Sequence, residues 1–351
     1  MSPDAEGMPT DDQRSTREQS LRYLYANFTD GSCNWGNHII DHATRRLLAE
    51  QFSPPVAEFD SFTDEPPEGD FDFVLVPGCT MITPGQNPGL DHIERLGCPV
   101  YCPAGSLWVS LGRPGWLIRA RIIGQTPPGK VDLRIARKLT GPIGARDSFT
   151  YRTLREAGLE THYTGCPTLT LPADDVCDDG FVLMSLGRRN VRTQTWAGQR
   201  LSRRCHLIGL VHEVADYDRY RAAGWKLPLV RFEGDMELYL SYFQRASLVI
   251  TGRLHGALPA LAYRKRVFYY GTRDTRTTIL DDLGVPIHAY GELSRALERA
   301  SGHFNRSLVE KFRENWDRVI RATLGRHLDS AAQAANQERT TRIPHTTLQG
   351  G

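Results

Sequence analysis

Arg253 and His255 stand two residues apart in the run Val249-Ile250-Thr251-Gly252-Arg253-Leu254-His255-Gly256-Ala257-Leu258-Pro259-Ala260-Leu261-Ala262. A guanidinium is a permanent cation with five donors, suited to carboxylate or phosphate. An imidazole gives or takes a proton near neutral pH. The pair reads as an anion clamp beside an acid/base group. Arg146, followed by Asp147 and Ser148, is a second candidate for phosphate or carboxylate. Asp147 reads as a helix N-cap, and the Ser148 hydroxyl serves either that helix end or a ligand oxygen. Asn34, Gly36 and Asn37 form either a plain turn capped by Asn37 or a loop where backbone meets a ligand. Arg273 and Arg276, and Arg188 with Arg189, are further cations placed after strand-like runs. His38 and His42 lie four apart on one helical face, but no third metal ligand is evident, which favours a solvated face.

These groups need elements to hold them. Val249 to Thr251 is apolar and β-branched, a small turn follows, and an Ala/Leu-rich stretch comes next. That pattern predicts strand, loop and helix. In an open α/β sheet the loop after a strand's carboxyl end is where ligands bind, and helix-start N–H groups favour an anion there. The same alternation runs through the chain. Strands are predicted at 21–28, 73–76, 99–101, 162–164, 181–186, 206–210, 229–232, 247–251 and 267–270. Helices are predicted at 37–50, 148–157 (stopped by Gly158) and 236–246, the last with Leu238, Tyr242 and Ala246 on its inner stripe. An amphipathic final helix carries Leu308, Phe312, Trp316, Val319, Ile320 and Leu324. Gln51 to Gly69, rich in proline and acid, reads as a surface loop. The fold predicted is α/β, two Rossmann-like domains with parallel sheets facing across a cleft. The boundaries are a structureless tail at 1–19, an N-terminal domain at 20–170, a C-terminal domain at 171–290, C-terminal helices at 291–328, and a second tail at 329–351.

Composition narrows the function classes. A formal net charge of +2 over 351 residues argues against a nucleic-acid binder working by bulk charge. Arginine greatly outnumbers lysine, which fits scattered anion recognition and codon bias equally. The seven cysteines are irregularly spaced, and Cys98 and Cys102 lack partners for a zinc site. Free thiols, no signal-peptide pattern in Met1 to Ser20 and no bilayer-length apolar run predict a cytoplasmic protein with no integral membrane segment. No G-x-G-x-x-G follows a strand, so no dinucleotide cofactor is expected, and no metal.

Three blocks resemble the polysaccharide pyruvyl transferase family. They are the Arg253-Leu254-His255-Gly256 signature, Ala145-Arg146-Asp147-Ser148 with its helix ending at Gly158, and the Asn34-Trp35-Gly36-Asn37 loop. They occur in the family's order and span roughly residues 20 to 290. The chain departs from the family at Cys166-Pro167-Thr168, where many members have Asp-Pro, and at Pro77-Gly78-Cys79, where a glycine-richer turn is usual. The resemblance implies a glycosyltransferase-B-like fold, phosphoenolpyruvate as donor, and a saccharide or glycan-precursor acceptor whose hydroxyls form a ketal. It assigns acid/base work to His255, the donor anion to Arg253 and Arg146, and substrate contacts to Ser148, Asn34, Gly36, Asn37, Gly256, Arg273 and Arg276. Other readings stay open. A nucleotide-sugar transferase would want a ribose-binding carboxylate, for which Glu213 and Glu233 are candidates. A small natural product as acceptor and a non-catalytic binding protein are the remaining ones.

Overall fold

The computed structural model describes residues 21–29, 34–50, 52–61, 64–78, 81–85, 88–91, 93–107, 131–173, 176–231, 234–271 and 273–341, with side chains as far as Gly325. The predicted tail at 1–19, the last residues of the second, Cys33, Cys79 and Glu233 lie outside these.

The first sheet contains β1 (Tyr23–Asn27), β2 (Ala57–Asp60), β3 (Phe73–Leu75) and β4 (Val100–Tyr101) in the order β2-β1-β3-β4. All pairs are parallel. Gly105, just past β4, bridges Ala145 and carries the sheet on to β5 (Ile143–Ala145) and β6 (Thr161–Tyr163). Helix α1 (Trp35–Ala49) follows β1; the short α2 (Pro88–Asp91) precedes β4; α3 (Ser148–Glu156) joins β5 to β6. Strand periodicity explains the layering. In β1, Tyr23 and Tyr25 join the cluster under Leu47, Leu48 and Phe52, while Leu24 and Ala26 join the opposite one with Val74, Val100 and Leu154.

The second sheet is fully parallel, ordered β12-β11-β10-β7-β8-β9. Its strands are β7 (Val182–Leu186), β8 (Leu207–Val211), β9 (Leu229–Val230), β10 (Leu248–Thr251), β11 (Arg266–Tyr270) and β12 (Ile287–His288). The intervening helices are α4 (Val191–Leu201), α5 (Val214–Ala222), α6 (Met236–Arg245), α7 (Leu254–Ala262) and α8 (Thr278–Asp282). Strand order reverses between β7 and β10 here and between β1 and β3 in the first sheet. Crevices open at such switch points.

Helix α9 (Ala296–Arg299) leads to α10 (Arg306–Thr341). The latter returns to the first domain: Trp316, Ile320 and Leu324 pack with Tyr23 and Phe73, and Asn315 Nδ2 donates to the Tyr163 carbonyl at 2.8 Å. The helix continues to Thr341, past 329, where composition predicts a structureless tail.

Three further expectations are corrected. The 51–69 stretch contains strand β2, because Phe59 and Asp60 are buried beside β1. Asn34, not Asn37, caps α1, its Oδ1 accepting from Gly36 N at 3.1 Å. The inner face of α6 is Tyr239, Leu240 and Phe243, leaving Leu238 exposed, since packing against α7 and α1 sets the helix phase.

Candidate active site

Both switch points open into one cleft of about 280 Å³ between the domains. Its lining includes Asn34, Gly36 and Arg146 from the first domain and Arg253, His255 and Arg276 from the second. With Arg188 and Arg189, eight of the residues singled out by chemistry therefore converge, although Arg146 and Arg253 lie far apart in sequence. The volume sits at the small end of ligand pockets, which run from about 300 to 1,000 Å³.

Arg253 is the N-cap of α7 without capping through its side chain. Its guanidinium spans the domains: one terminal nitrogen donates to Asn34 Oδ1 at 3.2 Å, the other to Glu213 Oε1 at 2.8 Å. The buried Asp216 carboxylate is 3.6 Å away. A cation at a helix N-terminus suffers from the dipole, and these two carboxylates offset that without any ligand. Their presence explains what an anionic ligand alone is asked to explain from sequence.

His255 follows in the first turn of α7. Its Nε2 is buried and meets no hydrogen-bond partner among the described residues. An orphaned buried ring nitrogen costs about 1–3 kcal/mol unless a ligand or water completes it. Burial lowers the imidazole's pKa; contact with the Cys166 thiol opposes that shift, and Arg146 and Arg276 add to it. Gly36 makes room for the ring: a Cβ there would lie 2.9 Å from His255 Nδ1.

Arg146, 2% exposed, lies at the end of β5 and faces Asp147 at 3.4 Å. Asp147 caps α3 as expected, accepting from Thr150 N at 2.8 Å, and burial raises its pKa. Arg276 folds back on Asp274 at 2.6 Å, and Asp274 also accepts from the Arg276 and Thr277 backbone.

Four of the expected substrate-contact residues do not line the cleft. Ser148 begins α3. Asn37 is inside α1, its N–H bonded to the Asn34 carbonyl. Arg273 points to solvent and pairs with Asp281 at 2.8 Å. Gly256 is structural: a Cβ there would lie 2.4 Å from Thr251 Oγ1 and 2.5 Å from Ser185 Oγ. His38 packs on the Trp35 ring and His42 faces Glu237 at 3.4 Å, so the two do not converge as a metal pair.

Sequence reasoning misses a polar layer under Arg253 and His255. The His212 ring joins Ser185 Oγ at 2.5 Å and the Tyr239 hydroxyl at 3.1 Å, and Thr251 Oγ1 donates to Ser185 Oγ at 3.2 Å. Burial, then Arg253 and His255, hold His212 well below the ordinary histidine pKa, so the ring is neutral. The His212 carbonyl also accepts from Trp35 N at 3.0 Å, tying the floor to the first domain. The signal available was position alone: Ser185 and His212 lie at the carboxyl ends of β7 and β8. Beside them Gln194 holds the 187–189 turn through Gly187 N and O, which aims Arg188 and Arg189 at the cleft rim.

A family model of the polysaccharide pyruvyl transferases matches residues 34–274. The chain belongs to the polysaccharide pyruvyl transferase family. It is a transferase, and the matched span holds Asn34, Gly36, Arg146, Arg253 and His255, with Arg276 just beyond its end. No curated protein matches the sequence of this pyruvyl transferase family member. Among solved structures it resembles UDP-N-acetylglucosamine 2-epimerase from Rickettsia bellii at TM-score 0.57 and 12% identity, covering 88% of this chain and 97% of that one. The UDP-GlcNAc 2-epimerase of Methanocaldococcus jannaschii gives TM-score 0.51 and 13% identity, covering 86% and 99%. At such identities the likeness concerns the fold, which is glycosyltransferase-B-like with parallel sheets. Among the described residues no helix is long and apolar enough to cross a membrane.

Proposed function

We propose that this transferase moves the pyruvyl unit of phosphoenolpyruvate onto two hydroxyls of a saccharide, forming a ketal and releasing phosphate. The observation that carries the reading is the convergence of Arg146 and Arg276 on His255, whose Nε2 has no protein partner among the described residues. A small donor bearing a carboxylate and a phosphate needs several cations at short range. Arg146 and Arg253 hold the donor anion, Arg253 by exchanging part of its contact with Glu213 or Asn34. Arg276, also a lining residue, adds charge.

The chemistry begins with a proton delivered to the donor's methylene carbon, which becomes a methyl group. The adjacent carbon turns oxocarbenium-like, and an acceptor hydroxyl adds to it and loses its proton. Phosphate then leaves with its C–O electron pair. A second hydroxyl attacks the same carbon and loses its proton, closing the ring. His255 acts as acid or base in these transfers. The bound donor's negative charge offsets Arg146 and Arg276 and so raises the imidazole pKa, which lets a ring that is neutral at rest become a proton donor.

The test is phosphate release from phosphoenolpyruvate across a panel of saccharide acceptors, wild type against His255→Ala. Acceptor-dependent release that falls by about 10²–10⁴ in the variant supports the reading. Release from no acceptor, with turnover of a nucleotide sugar instead, replaces it by sugar transfer.

A further inference from the structure

Helix α4 and its flanks carry a charge pattern unlike the rest of the chain. From Gly187 to His206 there are six arginines (188, 189, 192, 200, 203 and 204) and no aspartate or glutamate. The whole chain has a formal net charge of +2, so the remainder is net negative. All six are exposed, and among the described residues Arg204 alone of them forms an ion pair, with Glu298.

Within α4, Arg192, Trp196 and Arg200 stand four apart and share one face, while Arg188 and Arg189 precede the helix and Arg203 and Arg204 follow it. The opposite face of α4 is buried through Gln194, Ala197, Gly198 and Leu201. Trp196 stands in the middle of the stripe, 55% exposed, with the Arg200 guanidinium 5.6 Å from its ring. Helix α5 packs against α4 and begins with Val214, 44% exposed. Acids nearby are Glu298, taken by Arg204, and Glu213 and Asp216 at the start of α5, which already face Arg253. The stripe starts at the cleft rim, where Arg188 and Arg189 are lining residues.

A tryptophan flanked by arginines, with an exposed aliphatic side chain at the start of the neighbouring helix, fits an anionic bilayer surface. Indole settles at the headgroup level, arginine stems lie along apolar material while their heads stay wet, and each basic residue near an anionic leaflet contributes about 1 kcal/mol. A nucleic acid would use the arginines and stack on the indole, but has no use for Val214. We propose that this face docks on a membrane surface carrying anionic headgroups and so turns the mouth of the cleft towards that surface.

The test is flotation of the full chain with vesicles of phosphatidylglycerol in phosphatidylcholine, against phosphatidylcholine alone. Binding to the anionic vesicles only, lost in high salt, is expected. Arg192→Gln with Arg200→Gln should weaken it on the order of 25-fold, at roughly fivefold per arginine. Trp196→Ala should weaken it with little change in salt dependence. None of these three residues lines the cleft, so the variants should keep wild-type melting and wild-type turnover of a free acceptor. The proposal fails if the wild type does not float, if it floats equally with both vesicle types, if the double variant binds unchanged, or if the protein binds single-stranded RNA but no vesicle. Vesicle binding is read without turnover, so it stands or falls separately from the donor assignment.

Discussion

Gly36→Ala probes the meeting of the two domains at His255 with a single methyl group. The residue lies in the first turn of α1, where alanine would ordinarily stabilise the helix by up to about 1 kcal/mol. Here the added Cβ would sit 2.9 Å from His255 Nδ1, 3.1 Å from His255 Cβ and 3.2 Å from Asn34 Oδ1. Overpacking of this kind costs about 1–3 kcal/mol, so the net loss of stability is between about zero and 3 kcal/mol. The effect on turnover should be far larger. The imidazole must move, and Asn34 Oδ1, which also receives Arg253, moves with it. A displacement near 1 Å at reacting groups costs roughly 100-fold. The assay pairs phosphate release with thermal unfolding, and adds the double variant with His255→Ala. Removing the ring relieves the closest contact, so the two changes should couple by about 1 kcal/mol in stability. Unchanged turnover in Gly36→Ala, or strict additivity with His255→Ala, would refute the domain contact and the placement of His255.

Gly256→Ala should destabilise by about 1–3 kcal/mol, because its Cβ would enter the hydroxyls of Thr251 and Ser185; thermal unfolding checks this. Glu213→Gln should keep the fold but change donor affinity, measured by calorimetry, since it removes the carboxylate that now competes for Arg253; unchanged affinity would take Arg253 out of the donor site. Stability should fall as pH drops below 6.5. His255 and His212 have lowered pKa values in the fold, so the unfolded chain binds more protons there, and their contribution is complete above 6.5 and lost below it. Asp147 and Asp216, with raised pKa values, act in the opposite direction. Comparing pH–melting curves of His212→Gln and wild type isolates the histidine share, and identical slopes would remove it. Phosphoenolpyruvate binding should be accompanied by proton uptake, seen as a buffer-dependent heat that His255→Ala abolishes.

The α/β architecture was legible because buried parallel strands are short apolar runs ended by small turns, as at β7 and β10. Phe181 to Leu186 and Ser247 to Thr251 need little context to be read. Strand β2 was hidden because Ala-Glu-Phe-Asp has only two buried residues and sits among prolines and acids. Its strand character comes from pairing with β1 rather than from its own pattern. The phase of α6 was misread for a related reason: Leu238 and Tyr239 are both apolar enough to face inward, and only packing against α7 and α1 chooses between them.

The site divides along the same line. Arg253, His255, Arg146 and Asn34 were legible because each follows a strand or opens a helix, where chain geometry alone presents it to a crevice. Their partners were not. Glu213 and Asp216 approach Arg253 from the next strand-to-helix connection, and His212 lies beneath from the end of β8. No spacing links these positions; the β10-β7-β8 order does. The omission alters the electrostatic reading. Judged from sequence, Arg253 is a bare cation at a helix start and asks for an anion. In the fold it is paired with Glu213 and bonded to Asn34, while burial first, and then Arg146 and Arg276, disfavour a proton on the ring of His255. In the proposed reaction an incoming dianion meets Arg146 and Arg276 as well as Arg253, and its charge offsets their effect on a protonated His255. That proposal links donor binding to the readiness of His255 to carry a proton, through arginines from both domains.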